Sequence, residues 1–331
     1  MIVRRLGAAL YVAAVILAVS AVGAGQSGTS SLPRTPDGKP DLQGTYTFST
    51  ITPLQRPEAL AGKDVLSAEE AAEFEEFENR RQNRDLFDPE KGSPGLGYPP
   101  RSQGGVLSYN EFWYERGSEM TKDRRTSLIY DPPDGRIPFT AKARERNAVT
   151  AFRNNTGFAD SYEDRSLVDR CILGFNAGPP MVSGAYNNNL QIVQTASHIL
   201  IFNEMVHEAR LIPIDGRPHG AVPRWTGDSR GHWEGDTLVI DTINFKRETS
   251  LSGSSATTHV VERLTRIDAN SIKYDFTVTD PNMYTRPWSA SMPLRAIDER
   301  LFEYACHEGN HGLEGILRGA RFRDKMEAAK P

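Results

Sequence analysis

Residues 258–279, THVVERLTRIDANSIKYDFTVT, decide the fold. Residues 258–267 and 271–279 are rich in β-branched and aromatic residues, which favour extended strands. The tripeptide at 268–270, Asp-Ala-Asn, is a short polar link between them. The pattern predicts a β-hairpin.

The same kind of run recurs through the second half of the chain. Further strands are predicted at 190–195, 198–204, 207–214, 232–234 with 237–244, 288–297 and 300–306. Sequential strands with short links predict an antiparallel meander, which closes into a lipocalin-like barrel or stacks as a sandwich. The fold class is therefore mainly β, and a final helix is expected at 312–326.

The first half of the chain reads as a long, irregular lead-in. We expect a signal peptide at 1–24, a loop-rich region at 25–170 that wraps the sheet, and the barrel domain at 171–331. In the lead-in, strands are predicted at 43–49, 109–117 and 126–130, and helices at 66–84 and 140–153. The first of these helices has the signature of a capping box, with Ser67 as N-cap and Glu70 at N3.

The chain begins like a secretory signal. Arg4 and Arg5 precede an apolar run at 6–20, and small residues at 22–24 form a cleavage site. We expect an exported protein, periplasmic or extracellular, with no membrane attachment after cleavage. An uncleaved N-terminal anchor is the alternative.

Charge and cysteine content narrow the partners further. The net charge is −4 and no basic stripe is present, which argues against nucleic-acid binding and leaves a small-molecule ligand. The two cysteines, Cys171 and Cys306, are expected to form a disulfide in an oxidising compartment. Two separate buried thiols are the alternative.

All seven histidines follow residue 197. They are His198, His207, His219, His232, His259, His307 and His311. Histidine titrates near neutral pH and is the commonest metal ligand. This distribution places the expected chemistry in the C-terminal half.

Alternation along the predicted strands places acids and imidazoles on shared faces. If those faces line the barrel, they form a polar centre for general acid–base catalysis. The candidate catalytic residues are Glu204, His207, His232, Glu234, Glu262 and His307. Two arginines would hold an anionic group and three aromatic rings would face the ligand; these candidates are Arg210, Arg263, Trp233, Tyr284 and Trp288.

His307, Glu308 and His311 match the H-E-x-x-H pattern of zinc hydrolases. That pattern requires one helix, yet glycines and Asn310 interrupt it here, and Asn310 suits an N-cap. No cofactor is therefore favoured, and a divalent metal such as zinc is the alternative.

Three segments carry a resemblance: PRTPDGKPDL at 33–42, GDSRGHWEGDTL at 227–238 and YACHEGN at 304–310. With them, the chain resembles a large group of uncharacterised exported bacterial proteins over nearly all its mature length. The resemblance implies export and a single family unit, and it transfers no catalytic role.

Three functions remain open at this point. The first is an enzyme of hydrolase, lyase or isomerase type that uses Glu/His acid–base chemistry. The second is a non-catalytic periplasmic binding protein for a sugar, a sterol or an aromatic ligand. The third is a metal-dependent hydrolase built on His307 and its neighbours.

Overall fold

The computed structural model describes residues 32–88, 90–92, 110–155, 159–246 and 255–330. The predicted signal peptide lies outside the described residues. The residues from Arg34 onward belong to one compact unit, Arg34–Pro331.

Ten strands of the described chain form one antiparallel sheet. They are β1 (Gly44–Thr47), β2 (Ile129–Asp131), β3 (Asn189–Gln194), β4 (His198–Asn203), β5 (Ala209–Pro213), β6 (Asp228–Glu234), β7 (Thr237–Ile243), β8 (His259–Arg266), β9 (Ser271–Thr279) and β10 (Trp288–Ala296). Nine of them follow the order β5-β4-β3-β1-β10-β9-β8-β7-β6, and β2 pairs with β10. The result is a nearly closed barrel, as the sequence predicts.

The barrel closes where β5 and β6 lie side by side. Gly231 of β6 makes this approach possible, because a Cβ at that position would lie 2.6 Å from Cγ2 of Ile214 and 3.2 Å from Cγ2 of Ile212. A side chain there would push the two edge strands apart.

The hairpin that decides the fold forms as predicted. Strands β8 and β9 pair in register from His259 opposite Thr279 to Arg266 opposite Ile272. In the lead-in region, Tyr46 of β1 lies between Leu190 of β3 and Ala296 of β10. The lead-in therefore contributes β1 and β2 to the sheet as well as wrapping it.

The inward-facing side chains form a packed, mainly apolar core. Tyr274, Phe276 and Trp288 are among its largest members and are almost completely buried. The expectation of a polar cavity inside the barrel is wrong for these residues, because large rings and branched side chains fill the space that a ligand would need.

In the described part of the chain, three α-helices lie outside the barrel: α1 (Ala68–Gln82), α2 (Ala141–Asn155) and α3 (His311–Ala328). The predicted capping box of α1 is confirmed, since Ser67 Oγ accepts from the Glu70 amide at 3.2 Å and Glu70 Oε2 accepts from the Ser67 amide at 2.9 Å. Asn310 caps α3 by accepting from the Leu313 amide at 3.1 Å. Among the described helices, none combines the length and apolar character needed to cross a membrane.

Three predicted elements differ from the structure. The described part of the aromatic strand predicted at 109–117 contains a 3₁₀ turn, Glu111–Trp113, instead. Residues 300–306 form no regular element and pair with no described strand. Strand β6 begins at Asp228, four residues before the strand predicted at 232–234, because its polar outward side chains alternate with Ser229 and Gly231 on the inner face.

The predicted disulfide is confirmed. Cys171 and Cys306 are bonded, with their Cα atoms 5.7 Å apart and a separation of 135 positions in sequence. Such a bond is typical of proteins in oxidising compartments.

Candidate functional site

Glu262 and Arg210 meet inside the barrel. Arg210 Nη2 donates to Glu262 Oε1 at 2.9 Å, and Arg210 Nη1 donates to the other carboxylate oxygen. The Tyr274 hydroxyl donates to Glu262 Oε1 at 2.7 Å and accepts from the Met181 amide at 3.0 Å. Glu262 is fully buried, so this carboxylate serves the protein's own packing.

His232 and Glu234 lie on the other face of the same wall. His232 Nε2 is 3.2 Å from Glu234 Oε1, and Arg263 Nη2 donates to Glu234 Oε2 at 2.7 Å. The His232 side chain is 57% exposed. The predicted meeting of His232 with Glu262 therefore does not occur.

Strand register explains this separation. His232 lies opposite Val239, which lies opposite Arg263, whereas Glu262 belongs to the next row, opposite Ile240. Neighbouring rows of a sheet face opposite sides, so one row points to solvent and the other into the core.

The predicted ligand-facing aromatic residues are part of the core. Trp288 and Tyr284 are buried and make an edge-on contact with centroids 6.0 Å apart. Trp233 packs partly against the same core, with Lys39 Nζ 5.9 Å from its ring centroid. These rings stabilise the barrel and present little surface to a ligand.

The H-E-x-x-H residues do not share one helix. His307 begins a short 3₁₀ turn, His307–Gly309, and His311 is the first residue of α3. Both imidazoles and Glu308 are exposed. Within the described ranges, no group of three His, Cys, Asp or Glu residues is arranged to hold a metal ion.

A different pair of carboxylates meets at one end of the barrel. The side-chain amide nitrogen of Asn189 donates to Glu115 Oε1 at 2.8 Å and to Glu204 Oε2 at 2.9 Å. Asn189 is buried, yet its Oδ1 has no partner among the described atoms. We call Glu115, Asn189 and Glu204 the acid pair site.

Backbone contacts fix these three residues. The Glu204 amide donates to the Asn189 carbonyl at 3.0 Å, which extends the pairing of β3 and β4. The Glu115 amide donates to the Ala185 carbonyl at 3.0 Å, and Asn188 Nδ2 donates to the Glu115 carbonyl at 2.7 Å. The two carboxyl groups therefore come from segments that the fold holds rigidly.

The two carboxyl groups have different environments. Glu204 is buried and Glu115 is exposed at the surface. Partial burial of its carboxyl group, followed by the negative charges of Glu204 and Glu299, raises the pKa of Glu115, and the hydrogen bond from Asn189 only partly offsets this. Glu115 therefore retains its proton to a higher pH than an ordinary glutamate.

Residues 301–306, which we call the C-terminal strap, cross this end of the barrel. The Phe302 amide donates to Glu204 Oε1 at 3.1 Å, and the Tyr304 amide donates to His207 Nε2 at 2.7 Å. The disulfide holds Cys306 at the end of the strap. Because His207 Nε2 accepts here, its Nδ1 carries the proton of the neutral ring.

The turn between Glu204 and β5 is strained. Val206 and His207 have φ values of 58° and 51°, in the left-handed region. That region is unfavourable for a β-branched residue such as valine. Strained backbone of this kind is found preferentially at functional sites.

Aromatic rings flank the acid pair site. Tyr186 stacks on Tyr304 of the strap with centroids 6.4 Å apart and planes inclined by 15°. It also makes edge contacts with Tyr114, at 6.3 Å, and Phe175, at 5.3 Å. Such flat rings suit a sugar or an aromatic ligand.

Of the six predicted catalytic residues, the structure brings Glu204 and His207 together beneath the strap that leads to His307. Sequence reasoning missed Glu115 and Asn189. Glu115 lies in the lead-in, far from the barrel strands in sequence, and Asn189 belongs to an asparagine run at 187–189 that reads as irregular. That run was the signal available, because buried asparagines next to a strand commonly bond to other polar groups.

Two further histidines form a separate cluster on the outer face. Asp241 bridges them, with Oδ1 2.9 Å from His219 Nε2 and Oδ2 2.6 Å from His259 Nε2. His219 Nδ1 is 3.1 Å from Asp228 Oδ2. Asp228 belongs to β6, Asp241 to β7 and His259 to β8. The contacts of this cluster therefore connect three neighbouring strands and stabilise the sheet.

Comparison of the chain with protein-family models, with curated proteins and with solved structures finds no match.

Proposed function

We propose that this chain is an exported enzyme that processes a small molecule by general acid–base catalysis at the acid pair site. Its reaction class is hydrolase, lyase or isomerase. The observation that carries the proposal is the amide of Asn189, which bonds two carboxyl groups of different exposure.

The two carboxyl groups have complementary roles. Glu115, with its raised pKa, is the general acid that gives a proton to the leaving atom. Glu204 accepts N–H bonds on both of its oxygens, and it is the general base. Most glycoside hydrolases use a pair of carboxyl groups with unlike surroundings in these two roles.

Nearby groups would orient the substrate. The buried Asn189 Oδ1, which has no described partner, is an acceptor for a substrate hydroxyl or amine. The stacked rings of Tyr186 and Tyr304 offer a surface for a sugar or an aromatic ring. Export is supported by the signal-like start of the chain and by the disulfide.

The test is a panel of 4-nitrophenyl glycosides and 4-nitrophenyl esters, assayed with the mature protein. E115Q and E204Q should each lower kcat/KM by about 10²–10⁴-fold on any substrate turned over, since each removes one proton-transfer group. E234Q, on the outer wall, is the matched control and should retain full activity. Near-UV circular dichroism checks that the variants fold.

Turnover that survives in both E115Q and E204Q would count against the proposal. So would the finding that the unmodified protein turns over none of the compounds in the panel. Metal analysis distinguishes the alternative of a metal-dependent hydrolase. Stoichiometric zinc that is lost in H307A would favour that alternative.

A further inference from the structure

A pocket of about 330 Å³ lies beside the barrel, between the C-terminal end of α1 and the segments 50–54 and 182–185. Tyr114, Arg116 and Leu128 complete its wall, and the acid pair residues do not line it. Its volume is at the lower end of the range for small-molecule sites. It is therefore a second site, which shares the neighbouring ring of Tyr114 with the surroundings of the acid pair site but contains none of its three residues.

Three guanidinium groups line this pocket, those of Arg81, Arg84 and Arg116, against one lining carboxylate, that of Glu78. Glu78 is already bonded to Arg81, with Oε1 3.1 Å from Nε and Oε2 2.6 Å from Nη2. Glu111, which pairs with Arg116 at 2.9 Å, lies outside the lining. The lining side chains therefore carry more guanidinium than carboxylate groups, which favours an anionic ligand.

Arg116 has the geometry of an anion receptor. Its side chain is only 12% exposed, and burial, followed by the nearby charge of Arg84, lowers its pKa although Glu111 opposes this. Both of its hydrogen bonds to described residues come from Nη1, to the Gln82 carbonyl at 3.0 Å and to Glu111 Oε1 at 2.9 Å.

The remaining edge of that guanidinium, Nε with Nη2, matches the two oxygens of a carboxylate. The ring of Tyr114 holds Arg116 in place, with the guanidinium carbon 4.3 Å from the ring centroid. This contact fixes the orientation of the donor edge before a ligand arrives.

The rest of the wall is apolar or already bonded. Leu54, Leu128 and Val182 contribute hydrocarbon surface. The hydroxyl of Thr50 donates to the Glu119 carbonyl at 3.0 Å, and that of Ser183 donates to the Thr50 carbonyl at 3.2 Å. A ligand here would place an anionic head on the arginines and an apolar body against these side chains.

We infer that this pocket binds a small carboxylate with an apolar body, of the size of an arylalkanoic acid, through the Nε–Nη2 edge of Arg116. The inference goes beyond the proposed catalytic function, because binding here does not require Glu115 or Glu204.

Isothermal titration calorimetry of the mature protein with 3-phenylpropionate tests this inference, with 3-phenylpropanamide as the uncharged match. We expect saturable binding of the acid, and affinity for the amide lower by about tenfold or more, since a charge-assisted pair is lost. R116Q should lower the affinity for 3-phenylpropionate to a similar extent. R263Q, on the outer wall, should bind it as the unmodified protein does.

V182F provides a second test that leaves every arginine in place, because the larger ring reduces the apolar part of the pocket. V182F should lower the affinity for 3-phenylpropionate and leave the circular dichroism spectrum unchanged. Equal affinity for acid and amide, full binding by R116Q, or no saturable binding at millimolar acid would each overturn the inference. E115Q should bind 3-phenylpropionate with unchanged affinity, because Glu115 does not line the pocket. The binding inference and the catalytic proposal can therefore fail independently of each other.

Discussion

Arg210 and Glu262 face each other across the barrel interior and form a buried ion pair, with Nη2 of the arginine 2.9 Å from Oε1 of the glutamate. They belong to β5 and β8, which are not neighbours in the sheet. The pair therefore joins opposite walls of the barrel. Removal of either partner leaves an uncompensated charge in an apolar core.

R210M should lower the free energy of unfolding by about 3–5 kcal/mol, the usual cost of breaking a buried pair from one side. The double variant R210M/E262L should lose much less than the two single changes combined, because no lone charge remains. Urea unfolding measures all of them. R263Q breaks the exposed pair with Glu234 and should lower the free energy of unfolding by at most about 1 kcal/mol. An equal loss of stability in R210M and R263Q would contradict the conclusion that Arg210 and Glu262 form a buried ion pair.

The stability of the protein should fall in acid partly through Asp280. This buried carboxylate accepts from the hydroxyls of Ser255 at 2.7 Å, Thr257 at 2.9 Å and Thr258 at 2.7 Å. Burial by itself would raise the pKa of Asp280, but these bonds and the Asn282 amide outweigh it and hold the pKa below its usual 3.8.

Because the folded-state pKa is depressed, the stabilisation by Asp280 is complete above the unfolded pKa and is lost as pH falls through the folded value. D280N should therefore be less stable than the unmodified protein at neutral pH, and the difference should narrow below about pH 4. Chemical unfolding at a series of pH values measures this. D37N, at an exposed position, is the control and should lose much less stability than D280N at neutral pH.

The Cys171–Cys306 disulfide should contribute to stability and hold the strap. C171S/C306S should lower the free energy of unfolding by about 2–5 kcal/mol, as is typical for a native disulfide. Cleavage within the strap by a protease should also become faster, since residues 301–306 would lose their covalent link and keep only non-covalent contacts, such as the hydrogen bonds to Glu204 and His207 and the stacking of Tyr304 on Tyr186. Free-thiol titration of the denatured, unreduced protein should find none; two free thiols would contradict the pairing.

The left-handed turn at Val206 should be a source of strain. Asparagine tolerates a φ of 58° better than valine does. V206N should therefore raise the free energy of unfolding by up to about 1 kcal/mol. V222N, at an exposed loop position without a positive φ, is the control and should give no gain; a loss in V206N as large as that of a core substitution would argue against strain.

The sequence predicts much of the sheet because alternation and turn residues are local properties. The capping box of α1 and the hairpin at 258–279 are found where local chemistry places them. Which face of a strand points inward is a tertiary property. The acids and imidazoles of β6 and β8 were expected to share the interior, yet Glu262 is inside and His232 is outside, because the closure at Gly231 fixes the register of β6.

Contacts between distant segments account for the rest of the candidate site. Glu115 reaches Asn189 only because residues 182–189 run beside 110–117, and neither segment has the periodicity of a regular element. Residues 300–306 have the composition of a strand but pair with none described, since the disulfide and the bonds to Glu204 and His207 fix them across the barrel end. The pattern of a single segment carries no information about such partners.

The pH dependence of turnover tests the role of Glu115 through a residue outside the acid pair. If Glu115 is the general acid, kcat/KM should decline as pH rises through its raised pKa, because the proton it donates is lost. The negative charge of Glu299 contributes to raising that pKa. E299Q should therefore lower the pKa of Glu115 and move the alkaline limb of the pH–rate profile to lower pH, with little change at the acidic optimum. E303Q, an exposed change on the strap, should leave the limb in place. A limb that does not move in E299Q, or that moves upward, would assign the proton donor to another group.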